Sequence, residues 1–144
     1  MGGLLIFVVL CLTAPGVVAS TDSEGDLVKK ARENIRLAEI ELNQTCQKYN
    51  EGYPEDGLKS LGQFMKLVEQ AYAWLGETHR DPRKKPAGFK DMELKIRAFI
   101  RKLEDLKSSL PQDEREPVEK SIKRLHEIHD DLVMGLLNKP HKEN

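Results

Sequence analysis

Apolar residues recur along most of this chain at alternating steps of three and four. This spacing marks one face of an α-helix that packs against another helix. The clearest case lies between residues 92 and 137, where two such stripes are joined by the short segment 110–113. So short a segment permits only an antiparallel reversal, which predicts a helical hairpin. The two stripes are Met92, Ile96, Phe99, Leu103, Leu106 and Leu110, then Val118, Ile122, Leu125, His129, Leu132 and Leu136.

Two more helices are predicted upstream. The first extends from about Asp22 to Tyr49, with Ser23 as its N-cap, and small residues in its stripe favour close packing on one partner. The second begins near Pro54 and has two adjacent stripes, so it should contact two neighbours or offer part of this face to a partner. The stripes of this second helix are Leu58, Leu61, Met65, Val68, Tyr72 and Leu75, beside Phe64, Leu67, Ala71 and Trp74.

Four helices of similar length with short connections predict an all-α fold. The third should extend from about Gly88 to Leu110, and the fourth from after Asp113 to about Asn138. Short connections between equal helices favour an antiparallel up-down-up-down four-helix bundle over residues 20–138, followed by a polar tail at 139–144. A tetratricopeptide-like array is the alternative, but its helices would be about half as long.

Residues 1–19 are predicted to be a signal peptide. The segment from Leu4 to Leu12 is almost continuously apolar, and small residues precede the expected cleavage after Ala19. The apolar run is shorter than the ~20 residues that a membrane-spanning helix needs. We therefore expect an exported protein, periplasmic or extracellular, with an uncleaved N-terminal anchor as the alternative.

Cys46 would be the single cysteine of the processed chain. An intramolecular disulfide is then impossible, and the remaining roles are a buried thiol, an intermolecular bridge or a reactive group. Cys46 follows Leu42 by four residues, beside the helix stripe, so we expect it to be buried as a small hydrophobic residue.

Charge is nearly balanced over the whole chain but not along it. Charged residues make up 33% of the chain and sum to −1, yet residues 79–102 contain nine Lys and Arg against three acids. A basic loop with aromatic neighbours predicts contact with a protein or an anionic envelope component, and an exported protein is not expected to meet nucleic acid. A solvated loop beside a salt-bridged helix face is the alternative. The candidate binding residues are Trp74, Arg80, Arg83, Lys84, Lys85, Phe89 and Lys90.

A second candidate site is the pair His126 and His129. Three residues apart on a helix, the two imidazoles share roughly one face and are a potential metal site. A metal inside a bundle also needs carboxylates from facing helices, and the stripes of the first three helices carry none. We therefore expect a neutral His129 bonded to the hydroxyl of Tyr72 or Tyr49, with His126 in solvent. A metal-responsive bundle remains the alternative.

Motifs of catalysis are missing from the sequence. It has no Gly-x-Ser-x-Gly, no phosphate-binding glycine loop, no His-Glu-x-x-His and no Cys-x-x-Cys-His. We expect a non-enzymatic protein without a cofactor that works by binding or scaffolding. A structural homodimer, formed through the wide face of the second helix, is a further alternative.

Overall fold

The computed structural model describes residues 22–137, which are all-helical and contain no strand. The predicted all-α class is confirmed. The helix ends that were predicted lie within about two residues of their expected positions. The predicted signal peptide (1–19) and polar tail (139–144) lie outside the described residues. No helix in the described part has both the length and the apolar character required to cross a membrane. The helices are α1 (Glu24–Asn50), α2 (Pro54–Glu77), α3 (Phe89–Ser109), a 3-10 turn (Gln112–Glu114) and α4 (Arg115–Leu137).

The ends of α1 follow from local sequence. Ser23 caps its first turn, since its Oγ accepts a hydrogen bond from Asp26 N–H at 3.2 Å, as predicted. After Asn50, Gly52 adopts φ +84°, and the next residue donates its N–H to the Lys48 carbonyl at 2.9 Å. A left-handed glycine at this point satisfies a helix-end carbonyl, so the chain reverses directly into α2.

Two antiparallel hairpins form the molecule. The pair α1 and α2 packs most extensively, and the pair α3 and α4 forms the second hairpin. Small residues permit the close approach within the first pair, where Ala38 and Ala71 are completely buried. At the turn between them, Gly57 lies against the ring of Tyr49, and a Cβ added there would come within 2.6 Å of a ring carbon.

The hairpins stack with helices of the same direction side by side. Ion pairs join Arg32 to Asp91 and Glu39 to Lys95, both at 2.7 Å. The order of these contacts shows that α1 and α3 are parallel. On the other side of the stack, α2 contacts α4. The core lies between the hairpins, with Phe64 fully buried and edge-on to Phe99 at a ring separation of 5.2 Å.

The buried stripe of α4 differs from the predicted one. Ile128 is 1% exposed and occupies the core, whereas the side chain of His129 is 22% exposed at the edge of the α3–α4 interface. A step of either three or four residues from Leu125 continues a helix stripe, because the helix repeats every 3.6 residues. The prediction took the step of four, to His129, whereas the buried residue in the structure is Ile128, three residues after Leu125.

Candidate functional site

The connection between α2 and α3 forms one end of the molecule, here called the loop end (residues 78–90). Its first residue, Thr78, is buried; its hydroxyl donates to the Leu75 carbonyl at 2.6 Å and accepts from Arg80 N–H at 3.3 Å. His79 has φ +51° and Gly88 has φ +89°. Two left-handed residues and a buried hydroxyl therefore fix where the chain leaves α2 and enters α3.

Acidic side chains pair with three of the predicted basic residues. Arg80 Nε lies 3.0 Å from Glu24 Oε2, and Lys85 Nζ lies 3.6 Å from the same oxygen. Arg83 is bound by Asp81, with N–O distances of 2.9 and 2.8 Å. The hydrogen bond from Arg80 holds the pKa of Glu24 below its usual value, and Arg83 does the same to the pKa of Asp81.

Lys84 and Lys90 differ from the other cations of the loop end. Both are exposed, and neither has an ion-pair partner among residues 22–137. The aromatic candidates lie elsewhere: Phe89 is buried in the core, and Trp74 is half-buried, with Lys30 Nζ 5.7 Å from its ring centroid. The structure thus gathers the basic candidates at one end but does not present both aromatic rings beside them.

Two grooves adjoin the loop end. The α1–α3 groove has a volume of about 500 Å³, and the α2–α4 groove has about 480 Å³. Leu75 lines both, so they lie on opposite sides of the same junction. The α1–α3 groove has an apolar floor of Ala31, Ile35, Leu75 and Met92 and a rim of Arg32, Arg36, Glu39, Asp91, Leu94 and Lys95.

The α2–α4 groove has a different chemistry. Besides Leu75, its lining includes Pro82 of the loop end and Met134 of α4, with Asp131 as the charged member of the lining set. The Tyr72 hydroxyl donates a hydrogen bond to Asp131. Burial and this hydrogen bond raise the pKa of Tyr72 to about 12, so the hydroxyl keeps its proton at neutral pH.

His129 binds carboxylates rather than a hydroxyl. Its Nε2 lies 3.0 Å from Glu93 Oε1, and its Nδ1 lies 3.3 Å from Asp130 Oδ1. The predicted hydroxyl partners of His129 were wrong. The Tyr72 hydroxyl bonds to Asp131 instead, and Tyr49 packs beside Gly57 at the C-terminal end of α1. His126 is exposed as predicted, with its Nε2 3.9 Å from Glu104 Oε1.

Glu93 is an inward carboxylate that the stripe analysis missed. It is 6% exposed, one residue beyond Met92, and Arg97 Nε donates to it at 3.1 Å from the next turn. Burial opposes its ionisation, but the hydrogen bonds from Arg97 and His129 outweigh burial and lower its pKa. Glu93 is therefore a charged group held within the α3–α4 interface by two partners.

His126 and His129 contact different carboxylates, Glu104 and Glu93 respectively. In residues 22–137 no three His, Cys, Asp or Glu side chains come together in a way that could hold a metal ion. Cys46 is half-buried at the edge of the core, and burial raises the pKa of its thiol, which disfavours the reactive thiolate.

Comparison of the chain with protein-family models, with curated proteins and with solved structures gives no match.

Proposed function

We propose that this protein is exported after cleavage behind Ala19 and works by binding, with its loop end contacting an anionic envelope surface. The observation that carries the proposal is the position of Lys84, Lys85 and Lys90. All three are exposed at one end of a helical body. Lysines close to an anionic surface are attracted to it by about 1 kcal/mol each.

The arginines of the loop end support this proposal indirectly. Arg80 and Arg83 are paired with Glu24 and Asp81. Of the three lysines, Lys85 contacts Glu24 at 3.6 Å, further than Arg80 does, and Lys84 acts on Asp81 only through its charge, without an ion-pair contact. The lysine charges are thus left largely uncompensated, which is the arrangement that attracts an anionic partner.

The finer architecture belongs to the same proposal. An up-down-up-down four-helix bundle places the α1 N-terminus, the α2 C-terminus and the α3 N-terminus together at the loop end. This end of the bundle would hold Lys84, Lys85 and Lys90 together on one side of a rigid body.

The alternatives receive less support. His126 and His129 face different carboxylates, so a shared metal would require at least one of them to turn away from its partner. Half of the ten stripe residues of α2 are buried inside the molecule, where Phe64 packs on Phe99 of α3, and Leu58 is the strongly exposed member of the two stripes. The buried half of this face is not accessible to a second copy of the chain.

Vesicle co-sedimentation tests the proposal. The parent should bind vesicles that contain phosphatidylglycerol, should not bind phosphatidylcholine alone, and should be released at about 0.5 M salt, where screening is strong. The variant Lys84→Glu/Lys85→Glu/Lys90→Glu should lose this binding. The matched control is Lys59→Glu/Lys66→Glu/Lys123→Glu, three exposed lysines of α2 and α4 with the same total charge change.

The control decides between a local and a global effect of charge. Equal loss of binding in both triple variants would show that only net charge matters and would refute a specific loop-end surface. If the parent ignores anionic vesicles but captures an acidic protein from envelope extract, the contact is with protein and the lipid proposal fails. N-terminal sequencing of the exported protein should give Ser20 as its first residue.

A further inference from the structure

The α2–α4 groove lies between two helices that both end at the loop end. Gly76, in its lining, belongs to the last turn of α2, and Gly135 belongs to the last turn of α4. A Cβ added at Gly135 would lie 3.4 Å from Pro82 of the loop end. The groove volume of about 480 Å³ falls within the range of about 300–1,000 Å³ that is typical of ligand pockets. Two helix C-termini therefore border a space large enough for a small molecule.

These two C-termini carry partial negative charges. The peptide dipoles of a helix add up to roughly half a negative elementary charge at its C-terminal end, and a basic side chain in the last turn offsets this charge. Lys48 of α1 and Lys107 of α3 occupy such positions. The last turns of α2 and α4 contain no basic residue. The two helix ends beside the groove thus favour a cation.

Asp131 adds a full negative charge to the groove. Among residues 22–137 its bonded partner is the Tyr72 hydroxyl, which is neutral, and it forms no ion pair. Arg124, two turns earlier on α4, acts on Tyr72 through its charge but is bound by two acids. These acids are Glu69 at 2.5 Å and Glu127 at 3.1 Å. Arg124 therefore does not cancel the charge of Asp131.

The rest of the lining is mainly apolar. Leu75, Phe89, Leu132 and Met134 contribute hydrocarbon, aromatic and thioether surface, and no Lys or Arg of residues 22–137 lines the groove. The α1–α3 groove differs in this respect, because the cations of its rim are all paired with acids. Apolar walls beside an unpaired carboxylate suit a ligand that joins a positive charge to a hydrocarbon body.

We propose that the α2–α4 groove binds one small organic cation, a primary ammonium ion attached to an apolar body. The ammonium group contacts Asp131 and faces the C-terminal ends of α2 and α4, and the body packs on Phe89, Leu132 and Met134. This site does not use the lysines of the loop end. It therefore stands or falls independently of vesicle binding.

Methionine methyl groups provide a built-in pair of probes. Met134 lines the α2–α4 groove, and Met92 lines the α1–α3 groove. In protein labelled with methyl-13C methionine, phenethylammonium should shift the methyl signal of Met134 with one-site saturation and leave that of Met92 unchanged. Phenylacetate, which has a similar body and the opposite charge, should act on Met134 at least about tenfold more weakly. The triple lysine variant of the loop end should respond to phenethylammonium like the parent.

Two glycines of α2 supply matched variants. A Cβ added at Gly76, which lines the groove, or at Gly62, which does not, would meet no atom within 4 Å. Both variants should fold, because lysine is a better helix former than glycine. Gly76→Lys places a cation in the last turn of α2 and should weaken phenethylammonium binding by about tenfold or more, whereas Gly62→Lys should bind like the parent. Asp131→Asn should weaken binding similarly, and Asp105→Asn, at an exposed acid of α3, should not.

Four results would overturn the inference. The first is an unchanged Met134 signal up to about 10 mM phenethylammonium. The second is an equal response to phenethylammonium and phenylacetate, which would indicate non-specific adsorption of the ring. The third is equal weakening by Gly76→Lys and Gly62→Lys. The fourth is a response that appears only in Lys139→Gln/Lys142→Gln, two lysines of the C-terminal tail, because the occupant would then be a lysine of the chain itself.

Discussion

Removal of His129 should destabilise the protein more than removal of the buried carboxylate that it contacts. Glu93 is 6% exposed and accepts hydrogen bonds from His129 and Arg97, while His129 and Arg97 retain access to solvent. In His129→Ala the buried carboxylate keeps only one partner. A lost hydrogen bond to a charged group costs about 1.5–3 kcal/mol in unfolding free energy.

Glu93→Ala has a different balance. It removes the charge that is costly to bury, and the imidazole and the guanidinium left behind can be hydrated, so we expect a loss of about 1–2 kcal/mol. Once Glu93 is absent, the further change His129→Ala should cost less than about 1 kcal/mol. The double-mutant cycle should therefore give a coupling energy of about 1–2 kcal/mol.

Urea unfolding followed by circular dichroism measures this cycle. With a urea dependence of about 1–3 kcal/mol/M, a loss of 2 kcal/mol moves the midpoint by roughly 1 M, well outside error. A coupling energy below about 0.5 kcal/mol at pH 7 would refute the reasoning, as would a larger loss for Glu93→Ala than for His129→Ala.

The same carboxylate predicts a pH dependence. Folding lowers the pKa of Glu93, so the folded state favours its ionised form. Its contribution to stability should be fully present above the ordinary pKa of 4.5. It should be lost as the pH falls from there through the lower pKa of the folded state. The parent should thus lose more stability than Glu93→Gln over this range, and parallel stability curves for the two proteins would contradict the prediction.

Three glycines give the remaining predictions. Gly57→Ala should destabilise the protein by about 1–3 kcal/mol, because the new Cβ would lie 2.6 Å from the Tyr49 ring. Gly62→Ala, on the same helix with no atom within 4 Å of the new Cβ, should stabilise by about 0.5–1 kcal/mol. Gly88→Ala should cost at least about 1 kcal/mol, since its φ of +89° is strained for alanine and its Cβ would approach two core side chains at 3.0 Å. Thermal melts measure all three, and equal effects of Gly57→Ala and Gly62→Ala would contradict the packing described at the α1–α2 turn.

The helices were predictable because their signals are local. Ser23 caps α1, Pro54 begins α2, and a repeat of three and four persists through each helix. Local spacing could not decide between Ile128 and His129 for the core of α4, because both continue the stripe. It also missed Glu93, whose burial depends on partners from a neighbouring turn and another helix.

The candidate sites were predictable only in part. The sequence located a basic segment, but the partner of Arg80 is Glu24, 56 residues away, and no local pattern reveals such a pairing. The grooves carry no motif at all. They arise from the separation between helices that are not adjacent in the chain, and that separation depends on the side chains that meet between them.

The size of those side chains explains where this fold is closed and where it is open. Between α1 and α2, completely buried alanines such as Ala38 and Ala71 let the backbones approach, and no groove lies along this interface among those described. Between α1 and α3, the helices meet through long charged side chains, Arg32 with Asp91 and Glu39 with Lys95. Long side chains hold helices further apart than alanines do. The apolar core residues beneath them therefore form the floor of a groove and are not covered by the facing helix. The charged side chains that join the two hairpins on this side therefore also keep the α1–α3 groove open.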